Sequence, residues 1–420
     1  MPYSTQPKPD PESNTKASNT NPAWSSWPEF DEEQISAATN VLQSGHVNYW
    51  TGTQGREFEA EFAKISGCQH AVAVANGTLA LELALHAIGI ERGDEVIIPP
   101  RTFIATASSV VARGATPIFA DVDLHTQNIT AASIAEQITS RTKAIIVVHL
   151  AGWPCDMDPI MELAKHHGLA VIEDCAQAHG ARYKGRPVGS LGDVAAFSFC
   201  QDKIMTTAGE GGMLVTNSES LWRRAWSYKD HGKSYRAVFE QEHPPGFRWL
   251  HESFGTNMRM TEVQSAVGRV ALRRLPAWVE TRRHNAATLT ERLSELDILK
   301  IPVPPTDIYH SYYKFYTFLV PQFLRPDWNR ERIIAGLSAK GIPCYSGSCS
   351  EIYLEKAFPN HMRPNERLPR ACQLGETGLM FQIDPTISEK QINLIAETLT
   401  QILQAASITF DNQTPSPQVA

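Results

Sequence analysis

The sequence predicts an α/β fold: a large domain on a mostly parallel sheet covered on both faces, then a smaller α+β domain toward the C-terminus. Three observations carry this. Short apolar runs alternate with helical stretches between residues 70 and 175. The runs are apolar throughout rather than at every second residue, as in strands buried on both faces. The chain has 420 residues, too many for one simple core, so two domains are expected.

The first run, HAVAVA (70–75), reads as a buried strand, and GTLALELALHAIGI follows with leucines and alanines at helical spacing. EVIIP (95–99) is the next strand, and residues 103–113 are helical. TPIFADV (116–122) and KAIIVVHL (143–150) are the third and fourth strands. PIMELAKHHG is a helix and LAVIEDC (169–175) a fifth strand. VAAFSF (194–199) and GGMLVT (211–216) are strands with no long helix between them. Residues 254–275 read as helical, and Pro276 is expected to break that helix. Beyond it come a helix (278–296), a strand run YYKFYTFLV (312–320), a helix near 330–340 and a last helix at 388–405. The expected division is a large domain over 29–275 and a small one over 276–408.

Composition narrows the function. Hydrophobic content of 42% and charged content of 20% are those of a globular protein with a large core. The net charge of -7 is spread along the chain with no basic stripe, which argues against a nucleic-acid partner. Seven cysteines, an odd number without CxxC spacing, read as reduced thiols in the cytoplasm rather than a disulfide frame or a metal site. The polar, Pro- and Ser-rich stretch 1–28 and the end 409–420 read as disordered tails. Neither has the apolar run of a signal peptide or membrane anchor.

Three short motifs carry chemistry. Asn76-Gly77-Thr78 follows a strand and opens a helix, whose free N–H groups and partial positive charge suit a phosphate. Alone it reads more readily as an ordinary helix cap. Glu173-Asp174 ends an apolar strand, where open α/β sheets bind ligands and an acid can hold a protonated ring nitrogen. Alone it reads as a cap or a buried ion pair. Lys203 follows Ser198 and precedes the glycine cluster Gly209-Glu210-Gly211-Gly212, in a loop between two strands. A partly buried lysine there can form a Schiff base, although a lone lysine is ordinarily a solvated surface charge. A phosphate cradle, an acid at a strand end and a lysine nucleophile together fit one ligand, pyridoxal phosphate.

Several segments in order give a more specific signal: NYWTGTQGREFEAEFA, AVANGTLALELAL, GDEVIIPPRTFIATA, VVHLAGWPCDMD, VIEDCAQAHGARYKGRPVGSLGDVAAFSF, DKIMTTAGEGGMLVT and GTNMRMTEVQSAVG. From about residue 49 to 386 the chain resembles the sugar aminotransferases of the DegT/DnrJ/EryC1/StrS group. The resemblance implies the fold type I architecture of pyridoxal-phosphate transferases. It also implies transfer of an amino group from glutamate or glutamine to a keto-sugar, nucleotide-linked, in amino-sugar or polysaccharide biosynthesis. By it, Lys203 is the Schiff-base lysine and proton shuttle, and Asp174 the partner of the ring nitrogen. Gln177 contacts the ring's phenolic oxygen and Phe103 stacks on its face. Gly77, Thr78 and Ser198 hold the phosphate. Asn257, in GTNMRM, reaches the phosphate of the neighbouring subunit, which implies a homodimer with shared sites. His179 and Tyr49 are candidates for sugar contacts.

One position departs from the pattern. Asp384, in MFQIDPTIS, stands where the group often has histidine before proline, which leaves the small domain's ligand contacts open. A deoxysugar dehydratase on the same fold is a nearby alternative, but those relatives replace the Schiff-base lysine with histidine, and this chain has Lys203. A cyclitol aminotransferase and, more remotely, a non-catalytic regulatory protein are the other readings.

Overall fold

The computed structural model describes residues 24–408; most of the two expected tails, residues 1–23 and 409–420, lies outside them. Thirteen strands among the described residues are numbered in chain order. They are β1 (His70–Val74), β2 (Glu95–Ile98), β3 (Thr116–Phe119), β4 (Thr142–Val148), β5 (Ala170–Asp174), β6 (Arg182–Tyr183) and β7 (Arg186–Pro187). There follow β8 (Val194–Ser198), β9 (Gly212–Thr216), β10 (Leu299–Lys300), β11 (Ile308–Tyr309), β12 (Phe315–Leu319) and β13 (Gly378–Phe381).

The large sheet has the order β1-β9-β8-β5-β4-β2-β3. Pairs from β8 through β5, β4 and β2 to β3 are parallel, and β9 runs antiparallel to both of its neighbours. Every residue of β2, β8 and β9 is buried, which is why these strands are apolar without alternation. One apolar cluster lies on each face of the sheet: Ile97, Ile145, Val171 and Phe197 belong to one, Ile98, Ile146, Ile172 and Ala196 to the other. A second sheet, β10-β12-β13, is antiparallel. It packs with the helices Arg330–Ala339 and Glu389–Ala406 around a third apolar cluster. No helix among the described residues is long and apolar enough to cross a membrane.

Two expectations are corrected. The helix expected to stop at Pro276 runs unbroken from Glu262 to Leu293. Proline in a helix interior costs about 3 kcal/mol, but this helix buries Val267, Val270, Leu272 and Leu275 before the proline and Val279, Ala286 and Leu289 after it. Each buried valine or leucine contributes about 1.5–3 kcal/mol, so packing outweighs the local rule. Its N-terminal turn also caps another helix: Glu262 accepts the N–H groups of Gln54 (2.6 Å) and Gly55 (3.0 Å), at a start that Thr53 leaves without a side-chain cap. The helix begins at Glu262 rather than 254, where Thr261 and Gln264 form a reciprocal cap.

The second correction concerns the N-terminal tail. Residues 24–28 do not trail from the body. Trp24 packs on the C-terminal cluster, and the Trp27 ring stands edge-on to Trp278 with centroids 5.0 Å apart. Two tryptophans bury enough apolar area to hold a short segment that its polar neighbours alone would leave in solvent.

Candidate active site

The carboxyl ends of β1, β2, β4, β5 and β8 open on one cavity of about 1180 Å³. Gly77, Thr78, Phe103, Asp174, Gln177, Ser198 and Lys203 all line it, so the fold gathers residues spread over more than a hundred positions. This edge of an α/β sheet is where ligands bind, because helix N-termini and strand-end side chains converge there.

Lys203 sits in the loop between β8 and β9, its side chain 18% exposed. Its Nζ lies 3.4 Å from the Tyr313 hydroxyl and 3.4 Å from an Asp202 carboxylate oxygen. The Tyr313 hydroxyl donates to Asp202 in turn. Asp174, the last residue of β5, is buried. Its oxygens accept the Thr106 hydroxyl at 3.0 Å and the Ala176 N–H at 3.2 Å. Burial raises its carboxyl above the ordinary range; the Ala176 N–H, the Thr106 hydroxyl and the Lys203 charge offset this in part. A buried acid in that position fits a cationic N–H as partner.

Close packing shapes the turn at Asn76–Thr78. Asn76 caps the helix Gly77–Ile88 by accepting the Leu79 N–H at 3.0 Å, which leaves the N–H groups of the first turn without helical acceptors. A Cβ on Gly77 would stand 2.5 Å from Ser198 Cβ and 2.9 Å from Ser198 Oγ. Glycine is therefore what lets the end of β8 meet this turn, bringing the hydroxyls of Thr78 and Ser198 to the same wall as its free N–H groups. An anion is the ligand such a wall fits.

Gln177 Oε1 accepts the Ala151 N–H at 2.8 Å, leaving its side-chain NH₂ as the group free to donate. Phe103 is 68% exposed while lining the cavity, an uncovered aromatic face of the kind that stacks on a flat ring. Behind the site, Glu173 accepts the N–H groups of Gly189 (2.9 Å), Leu191 (2.7 Å) and Gly192 (2.7 Å) and pairs with His149 Nε2 at 2.9 Å. Cys175 lies beside this pair, but His149 Nδ1 already accepts the Cys155 N–H at 3.0 Å. The ligand atoms of His149 and Glu173 are thus engaged in hydrogen bonds that brace the loop after β7.

Three expected residues lie elsewhere. Asn257 is exposed and does not line the cavity of its own chain. His179 and Tyr49 are 1% and 3% exposed and face the interior, which corrects the expected sugar contacts. His179 packs near Phe197 and Phe199. The Tyr49 hydroxyl donates to Glu59 at 3.0 Å, under a Lys229 ammonium 3.8 Å from its ring.

The structure also adds residues that motif reading missed. Tyr313, Lys314 and Asp202 line the cavity, and Thr106 holds Asp174. Lys314 was the legible one, a lone charge inside the aromatic run YYKFY. Burial lowers its pKa to about 8, with Arg282 and Lys203 adding to the shift and Asp202 and Asp384 opposing it. Asp384 turns away from ligand duty: its oxygens accept the hydroxyls of Ser25 (2.7 Å) and Thr386 (2.6 Å).

The sequence profile of the DegT/DnrJ/EryC1/StrS aminotransferase family matches residues 28–400. A UDP-N-acetyl-3-dehydro-alpha-D-glucosamine 3-aminotransferase of Acidithiobacillus ferrooxidans is 40% identical, over 85% of this chain and 90% of its own. The GDP-perosamine synthase of Escherichia coli O157:H7 is 36% identical, over 84% of this chain and 92% of its own. Among solved structures, an aminotransferase from Psychrobacter cryohalolentis is 54% identical and superposes with a TM-score of 0.90, over 91% of this chain and 100% of its own.

Proposed function

The chain belongs to the DegT/DnrJ/EryC1/StrS aminotransferase family, and from that membership we propose that it moves an amino group from glutamate or glutamine onto a nucleotide-linked keto-sugar at the cavity around Lys203. It is a pyridoxal-phosphate-dependent aminotransferase of fold type I. The carrying observation is that a lysine, a buried acid and a helix N-terminus with two hydroxyls line one cavity. That donor set fits the cofactor's electrophilic carbon, ring nitrogen and phosphate.

When bound, pyridoxal phosphate supplies a carbon that carries the amino group and a ring that withdraws electrons. The remaining roles belong to the chain. Gly77, Thr78 and Ser198 hold the phosphate. The Asp174 carboxylate keeps a proton on the ring nitrogen, Gln177 donates to the phenolic oxygen, and Phe103 covers one face. Lys203 Nζ, as general base and then acid, would take the proton from the donor's α-carbon and deliver it to the carbon that carries the amino group. Asn257, exposed and outside its own cavity, is assigned to the phosphate of a second copy, which makes a homodimer the working unit. The sugar assignment follows the relatives whose names specify UDP- and GDP-linked sugars. Seven free cysteines support a cytoplasmic setting.

The test begins with the purified protein and its cofactor. A visible absorbance that borohydride removes, with the cofactor then mapped to Lys203 by peptide mass spectrometry, is the expected result. Lys203→Ala should lose both the absorbance and turnover. Trapping on another lysine, or turnover retained by Lys203→Ala, refutes the assignment. A panel of UDP-, GDP- and dTDP-linked keto-sugars with glutamate or glutamine, read by product mass, then identifies the substrate.

A further inference from the structure

The segment before the first helix reaches the site from behind. The Trp27 indole N–H donates to the main-chain carbonyl of Lys203 at 2.9 Å, across 176 positions of sequence. The same ring stands edge-on to Trp278, and the buried Arg282 guanidinium lies 5.2 Å from its centroid. Two residues earlier the segment is tied down. Ser25 Oγ donates to Asp384 at 2.7 Å, and the Ser26 N–H donates to Thr386 Oγ1 at 3.1 Å. Ser25 Oγ also accepts the Trp27 N–H at 3.1 Å, which sets the turn that presents the indole.

The lysine loop needs such support. Gln201 and Asp202 are exposed, and the Lys203 N–H is bonded only within the loop, to the Cys200 carbonyl at 3.0 Å. On the side of the cavity, Tyr313 holds the lysine through its own ammonium and through Asp202. Arg282 joins the two supports, donating to the Tyr313 carbonyl at 3.2 Å while facing the Trp27 ring. A group that must deliver a proton to one atom and not its neighbour has to be held within about half an ångström.

We propose that Trp27 is a positioning residue for Lys203, the strap Ser25–Trp27 being clasped by Asp384 and Thr386 so that the indole fixes the lysine's main chain. This gives Asp384 a purpose of its own: the carboxylate anchors the strap. The inference rests on the role assigned above to Lys203.

Trp27→Phe keeps the ring and removes the donor. Ser25→Ala loosens the clasp from a distance and serves if the first variant does not fold. Three quantities are measured on the cofactor-bound enzyme and its apoprotein: the midpoint of the visible absorbance against pH, the split between kcat and KM, and the apoprotein's Tm. Trp27→Phe should lower kcat about five- to tenfold, the worth of one hydrogen bond, with KM for both substrates nearly unchanged and a displaced midpoint. Ser25→Ala should move kcat and midpoint the same way by less. A fall in Tm with midpoint and kcat per bound cofactor unmoved overturns the proposal, since that is what simple packing predicts. Borohydride trapping of the wild type keeps the two levels apart: failure to trap Lys203 removes the functional reading, whereas normal trapping with unmoved variants removes only the role of Trp27.

Discussion

Replacing Gly77 by alanine sets two effects of opposite sign against each other. Gly77 opens the helix Gly77–Ile88, and helix propensity favours alanine over glycine by at most about 1 kcal/mol. Its φ is not in the left-handed region, so backbone strain adds nothing. The space decides. The added Cβ would stand 2.5 Å from Ser198 Cβ and 3.0 Å from Ser198 Cα, and the latter is main chain of β8, a fully buried central strand. Gly212 of β9 packs on the same junction, its own absent Cβ 2.5 Å from the Asn76 carbonyl carbon. With main chain on both sides, neither neighbour can yield cheaply, and overpacking of this kind costs about 1–3 kcal/mol. The net expectation is destabilisation of up to about 2 kcal/mol and a Tm lower by about 2–4 °C in the apoprotein, read by calorimetry. Cofactor affinity, read by absorbance titration, should fall at least about tenfold, because the turn proposed to hold the phosphate is displaced. Adding Ser198→Gly removes the two side-chain atoms in the way but leaves the Cα, so it should restore Tm in part and not affinity, since the hydroxyl is lost. An apoprotein Tm that rises in Gly77→Ala, or cofactor affinity within twofold of wild type, refutes the reasoning.

Two further predictions concern pH. Lys314, with its pKa lowered to about 8, is cationic below that pH and neutral above it. Affinity for a dicarboxylate such as 2-oxoglutarate, measured by calorimetry, should weaken as pH rises through 8, and Lys314→Met should abolish that dependence; an unchanged profile in Lys314→Met removes the lysine from ligand binding. His179 and His310 are both held to about 3 by burial, with nearby cations adding to the shift. The unfolded chain takes up a proton at each near pH 6.5 while the folded protein does not, so stability falls as pH drops below 6.5 and continues to fall until about 3. Each contributes about 1.5 kcal/mol of loss between pH 6.5 and 5. His179→Phe, which keeps a ring beside Phe197 and Phe199, should be less steep than wild type by that amount in denaturant titrations; equal slopes refute the assignment.

The fold was legible wherever neighbours in sequence decide the outcome. Apolar runs such as VII of β2 and AVI of β5 are strands because both faces are covered, and an unbroken apolar pattern is the direct mark of that burial. The places of Asp174, Ser198 and the Asn76–Thr78 turn at strand ends were legible for the same reason, since each stands at the end of a recognisable strand, whereas their expected roles came from several motifs taken together. Pro276 shows the limit of local rules. The proline signal is real, but apolar burial on both sides of it is larger, and that burial depends on what lies opposite.

By itself, then, the order of residues determined the parallel sheet and its carboxyl edge, because periodicity acts over a few residues, and the motifs taken together set Lys203, Asp174 and the Asn76–Thr78 turn beside that edge. Only tertiary structure decided that His179 and Tyr49 turn inward, that Lys314 and Tyr313 face the cavity, and that Trp27 reaches the lysine loop. Those contacts span 110 positions for Tyr313 with Lys203 and 359 for Ser25 with Asp384. No local period encodes a pairing at such a distance; it exists once the packed layers bring the two stretches of chain to the same place.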